Sequence, residues 1–173
     1  MRNVQPIGDL AQDPHIPEWW TSRPISVPYF SGAKLSFTIT VESVDANYPP
    51  EISDAIREFL LLADRDRIVA SERVFKNYRD FVDAVEGVDL VVNGSSEIWR
   101  YVRPTEVYIR RRNRRDKEIY VQVACECEWE IEHGLQLVFR RGQKLTRVSS
   151  QDGHLTHADA YDLPEPYDDE EER

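Results

Sequence analysis

Three of the four histidines, His133, His154 and His157, lie in the last third of the chain beside carboxylates: Glu132 precedes His133, and Asp152 and Asp159 bracket the other two. Imidazole and carboxylate together can hold zinc or another divalent ion, or act as general acid and base. The spacing names neither chemistry. His154-x-x-His157 lacks the helical i, i+4 geometry of a metalloprotease signature, and no glutamate lies between its histidines. Turn chemistry competes with both: Glu132 and His133 would shape a tight turn, and Asp152 and His154 would close the next by bonding local backbone. A metal-dependent or acid–base enzyme using Glu132, His133, Asp152, His154 and His157 is the alternative to a binder, with His133, His154, His157 and Asp152 as the metal ligands. No cofactor is implied beyond that divalent metal.

Cys125 and Cys127 share one face of any strand that contains them, and neighbours on one face do not close a disulfide without distortion. A zinc site would need two further ligands, and no second cysteine pair exists. Glu126, Glu128 and Glu130 would form a row of anions on the opposite face, suited to a cation or a basic partner and otherwise a solvated surface. Arg110, Arg111, Arg112, Arg114, Arg115 and Lys117, with Asp116, concentrate five net positive charges in eight residues. Nucleic acid is disfavoured because the chain as a whole is acidic, and a solvated hairpin tip fits better. Of the neighbouring rings Trp19 and Trp20, one packs in the core and the other is left near the surface, where it can anchor a partner. No Gly-rich phosphate loop, nucleophile elbow or kinase signature appears.

The elements that must position these groups follow from hydrophobic period. Apolar residues at every odd position from Ile119 to Ile131 predict a long strand with one buried and one wet face. Glu132-His133-Gly134 fits a three-residue hairpin loop, which sets Ile131 opposite Leu135, Trp129 opposite Leu137, Cys127 opposite Phe139 and Glu126 opposite Arg140. Strands over 105–112 and 145–149 complete a four-strand meander. Upstream, Ile25, Val27 and Tyr29 alternate, as do Leu35, Phe37, Ile39 and Val41, which predicts a hairpin around Gly32 pairing Tyr29 with Leu35 and Val27 with Phe37. Between these regions the period lengthens. Ile52, Ile56, Phe59, Leu60 and Ala63 mark one helix after Pro49-Pro50, and Val74 to Val85 a second that stops at Gly87. A short helix is expected from 96 to about 102, before Pro104.

The expected fold is α+β: an antiparallel sheet of about six strands, the N-terminal hairpin plus the C-terminal meander, with two long helices packed on one face. Residues 1–18 read as an irregular arm, 19–161 as a single domain and 162–173 as an acidic disordered tail. Of the formal charge of −10, the tail carries seven acids against one arginine, net −6. Such a segment cannot bury enough apolar surface to offset its ordering entropy.

The stretch 125–139, containing Trp129-Glu130-Ile131-Glu132-His133-Gly134-Leu135, together with Asp152-Gly153-His154-Leu155-Thr156, resembles an uncharacterised bacterial domain family. Its core is a Trp-x-x-Glu-His-Gly-Leu motif, and Trp99 and Pro28-Tyr29-Phe30 extend the likeness. The resemblance implies a fold and a bacterial origin, and supplies no catalytic residues. With no apolar run long enough to span a bilayer and no leader-like N-terminus, the chain reads as soluble and cytoplasmic. The expectation is a non-enzymatic, immunity- or antitoxin-like module that binds a basic protein partner through Glu126, Glu128, Glu130, Trp19 and Trp20. A homodimeric structural module is a third reading.

Overall fold

Residues 102–149 build the centre of the molecule by the alternation just described. In the computed structural model, which describes residues 2–41 and 47–164, the run Val102–Arg111 is strand β7, Ile119–Cys127 is β8, Leu135–Arg140 is β9 and Lys144–Ser149 is β10. They form the expected antiparallel meander. The sheet continues past β7 into four short strands, β1 (Arg2–Val4), β2 (Gly8–Gln12), β3 (Trp20–Ser22) and β6 (Phe37–Ile39). Its order is β1-β2-β3-β6-β7-β8-β9-β10, so there are eight strands rather than about six. The part of the chain read as an irregular arm therefore supplies two of them. β6 and β7 are parallel, and the chain between them holds the helices, as a crossover between parallel strands requires.

Three helices follow Pro49 where two were expected: α1 (Pro50–Leu61), α2 (Asp64–Val69) and α3 (Ser71–Ala84). The charged run 64–67 between the two expected helices opens α2, where the Asp66 carboxylate accepts the Ala63 N–H at 2.8 Å and secures the first turn. Ile52, Ala55, Ile56 and Phe59 of α1, with Val74 and Tyr78 of α3, meet the odd-numbered residues of β8 and the inward residues of β9 in one core. The short helix is a 3-10 helix, Ser95–Tyr101.

Several registers differ from expectation. The N-terminal ribbon is a separate pair, β4 (Ile25–Val27) and β5 (Ala33–Leu35), with Ile25 opposite Leu35 and Val27 opposite Ala33. Pro28 has no N–H for a ladder, so pairing stops at Val27 and Pro28–Phe30 turns as a 3-10 helix that drives Tyr29 and Phe30 into the core. In the C-terminal hairpin Cys125 faces Leu135, Val123 faces Leu137 and Val121 faces Phe139, while Arg140 faces Tyr120. The parity is as expected. The slip arises because β8 stops pairing with β9 at Cys125 and 128–134 is a wide loop rather than a three-residue turn, and Ile131 leaves the core.

The second face of β8 is not wet either. Tyr120, Gln122 and Ala124 are buried, because the chain after β10 folds back over them and ends in helix α4 (His157–Tyr161). Leu155 packs there against Tyr120 and Val138. Of the expected acidic tail 162–173, residues 165–173 lie outside the described residues. No helix among the described residues is long and apolar enough to cross a membrane.

Candidate functional site

The Trp-x-x-Glu-His-Gly-Leu segment is held by four local constraints. Trp129 is buried, its ring edge-on to that of Tyr78 with centroids 5.8 Å apart and its Nε1 donating to Asn77 Oδ1 of α3 at 3.1 Å. Glu130 turns inward, and its Oε1 accepts the backbone N–H groups of Glu132 (3.2 Å) and His133 (3.3 Å). The Glu130 carbonyl accepts the Gly134 N–H at 3.0 Å. Gly134 has φ +63°, and any Cβ there would lie 2.5 Å from the Cys125 carbonyl oxygen, so only glycine fits.

These constraints leave three side chains outward, Ile131, Glu132 and His133, with Ile131 89% exposed at the tip. Beside the loop is an open depression of about 720 Å³, lined by Arg100, Tyr101, Val102, Arg103, Glu128 and Ile131. A buried indole, a largely buried carboxylate and an obligatory glycine thus hold a branched aliphatic residue in water, flanked by the exposed acids Glu128 and Glu132. That arrangement can seat an apolar side chain in a pocket of another protein. The strict alternation of 119–131 concealed it, since Ile131 has the parity of a core residue.

The anionic row is dispersed. Glu126 is exposed and ion-paired with Arg103, Glu128 is exposed with its backbone N–H donating to Tyr101 O, and Glu130 caps the turn from inside. Strand pairing of β8 ends at Cys127, so the three do not share a strand face. Trp20 packs against the core with the Arg2 guanidinium 4.3 Å from its ring centroid, while Trp19 lies edge-on to Tyr108 at 6.0 Å on the opposite side of the sheet.

The imidazole and carboxylate groups are placed apart. His133 is exposed, with Nδ1 3.5 Å from Glu130 Oε1. Asp152 grips Arg147 through two hydrogen bonds, at 2.7 and 2.5 Å, and accepts the His154 N–H at 3.0 Å. The His154 carbonyl accepts from Arg147 and Gln136, its side chain facing solvent. His157 is buried with its ring 4.4 Å from that of Tyr161. Among the described residues no group of three or more His, Cys, Asp or Glu is placed to hold a metal ion. Burial pushes the Cys127 thiol up to about 11 and Cys125 further, so both stay protonated in the core near neutral pH.

What the Asp152-Gly-His-Leu-Thr segment does is close the second face of the sheet. Arg147 and Arg112, each 2% exposed, anchor it: Arg112 forks onto Asp159 at 2.6 and 2.9 Å and reaches Asp116 at 2.9 Å. Gln122 donates to Gln136, which in turn donates to Asp152 and the His154 carbonyl. The basic cluster is therefore not a wholly solvated tip. Arg112 points inward, Arg111 pairs with Glu51, and Arg110 bonds Gln122 and Gly153 O. Asp116 and Asp152 lie close in sequence to Arg112 and Arg147, but Asp159 is distant from Arg112 and Gln136 from Gln122, so the sequence did not show that these groups meet over one sheet face.

The chain belongs to the family described as domain of unknown function DUF6985, whose model matches residues 6–155. No curated protein and no solved structure matches it.

Proposed function

We propose that this DUF6985 domain is a non-enzymatic protein-binding module whose recognition element is the loop 128–134, with Ile131 as its apolar anchor. The observation that carries this reading is the exposure of Ile131 on a loop whose shape is held by Trp129, Glu130 and Gly134. Burying one such side chain against a partner is worth about 1.5–3 kcal/mol, and a prebuilt loop spends little of that on ordering itself.

The partner presents an apolar pocket rimmed by basic groups, complementary to Glu128 and Glu132 and to the formal charge of −10. An immunity- or antitoxin-like role toward a basic bacterial toxin is one instance of that class. Long-range attraction speeds such an encounter and fades with salt, whereas the Ile131 contact governs dissociation.

The test is capture from lysate of the source cell at low and high salt, using wild type, Ile131→Asp and the control Ile68→Asp. Ile68 is also an exposed apolar residue but lies in α2. A stoichiometric partner retained by wild type and Ile68→Asp, and released about tenfold faster or lost by Ile131→Asp, is expected. Identical capture by all three at unchanged melting temperature sinks the loop as recognition element, and sedimentation shows whether the partner is a second copy.

A further inference from the structure

The open depression of about 720 Å³ beside the loop has two sides of opposite charge. One is the chain 100–103, where the side chains of Arg100 and Arg103 are 74% and 72% exposed. The other is 126–131, which brings the exposed acids Glu126 and Glu128 and ends at Ile131. Strands β7 and β8 hold the two sides together, since Val102 pairs with Cys127 and Arg103 with Glu126. The rest of the lining is apolar: Tyr101 and Val102, both half-buried, and the buried Cys127.

An exposed isoleucine next to such a depression, and a basic side next to an acidic one, make a surface that is complementary to its own copy. A two-fold axis between Ile131 and the depression sets each Ile131 into the other copy's depression and each acidic side against the other's basic side, so every contact is made twice. The arginines have partners within one chain: Arg103 pairs with Glu126, and Arg100 lies 3.6 Å from Glu97. Both pairs are exposed and hold their arginines weakly, and the five donors of a guanidinium can serve a second carboxylate as well.

We propose, resting on the reading of 128–134 as the recognition element, that the partner it takes is a second copy of this chain in a two-fold dimer. Ile131 of each copy packs on Tyr101 and Val102 of the other, and Glu128 and Glu132 meet Arg100 and Arg103. That is an apolar pocket rimmed by basic groups, supplied by the chain itself. The formal charge of −10 on each chain opposes the encounter at long range, while the facing sides attract at short range. Salt screens the long-range field more than it screens pairs shut off from water by the Ile131 contact. Self-association therefore strengthens with salt, the reverse of capture of a basic foreign protein.

Sedimentation equilibrium of the purified full chain at pH 7, at concentrations up to about 1 mM and salt from about 0.05 to 0.5 M, reads the dimer. Wild type is expected to associate reversibly and more tightly at the higher salt, and Ile131→Asp to stay monomeric. Two double variants test the geometry. Arg100→Glu with Arg103→Glu makes both sides acidic, and Glu128→Arg with Glu132→Arg makes the second side basic like the first. Each alone should associate about tenfold more weakly than wild type, and an equimolar mixture should regain the affinity, because unlike sides meet again although both chains remain acidic overall. Recovery on mixing requires that both variants are folded. The proposal is overturned if wild type is monomeric at every salt, if Ile131→Asp associates as tightly as wild type, or if the mixture associates no better than its components. A monomeric wild type whose lysate partner is lost by Ile131→Asp overturns the second copy alone and leaves the loop as recognition element, whereas equal capture by both sinks the loop with it.

Discussion

Arg112 shows how much one side chain can commit. Its guanidinium is taken out of water beneath the C-terminal segment, a placement that is costly unless the planar fork is met by acceptors. Asp159 meets it with both oxygens and Asp116 with one, while Tyr120 Oη donates to Asp116 at 2.8 Å. Arg112→Met strips the fork from Asp159 and one bond from Asp116, which keeps Tyr120, the Glu118 N–H and Arg140, and we expect it to cost about 3–5 kcal/mol in urea unfolding. Arg112→Lys should recover only part of that, because a point ammonium cannot meet both oxygens of Asp159. A loss below about 1 kcal/mol would show the pair to be no stronger than a surface contact. Arg147 with Asp152 is built the same way, and Arg147→Met should act in the same direction.

At the scale of elements, α4 is the least self-sufficient piece. Five residues do not nucleate a helix in water, so α4 and the irregular chain before it depend on the Thr156 cap, on Leu155 and on the two arginine clamps. The Arg112 hydrogen bonds hold the Asp159 carboxyl below its usual range, against the opposing effect of burial. For Asp152 burial is the largest influence and would raise it, but the Arg147 bonds and the His154 N–H together outweigh burial and leave it low. A depressed folded-state pKa contributes stability that is complete above the ordinary carboxylate value of about 3.9 and is lost as pH falls through the folded value. Residues 150–163 should therefore keep their amide-exchange protection at pH 5 and lose it below about pH 4, ahead of β8 and β9. Protection unchanged down to the acid unfolding of the whole chain would contradict this. The same segment explains what could be read in advance. Helices α1 and α3 and the parity of β8 and β9 were legible, because a 3.6- or 2-residue period is written in consecutive positions. That Gln122 and Gln136 are buried, or that Ile131 is not, was hidden. The amides satisfy each other across strands, and the isoleucine is displaced by a loop whose width depends on Glu130 accepting from the N–H groups of Glu132 and His133.

For the molecule as a whole, charge and clamp chemistry separate along the pH axis. The formal charge is −10 at pH 7 and reaches zero near pH 4.9. On that path the carboxylates that protonate first are the ordinary exposed ones. Asp116, Asp152 and Asp159 are held low and keep their charges, Asp116 because its bonds from the Glu118 N–H, Tyr120 and Arg112 outweigh a burial effect that alone would raise it. Mutual repulsion between chains thus vanishes while the buried pairs are intact. Ile131, Leu61, Ile68 and Val69 are exposed apolar groups, and copies that no longer repel can meet through them. Light scattering should rise to a maximum near pH 4.9 with near-native circular dichroism, and the spectral signature of unfolding should appear only at lower pH. Ile131→Asp should lower the scattering maximum if the loop tip is the leading contact. Unfolding that precedes or coincides with the scattering rise would show instead that the clamps fail with the ordinary carboxylates, and that the closed second face of the sheet is held by something other than its two arginines.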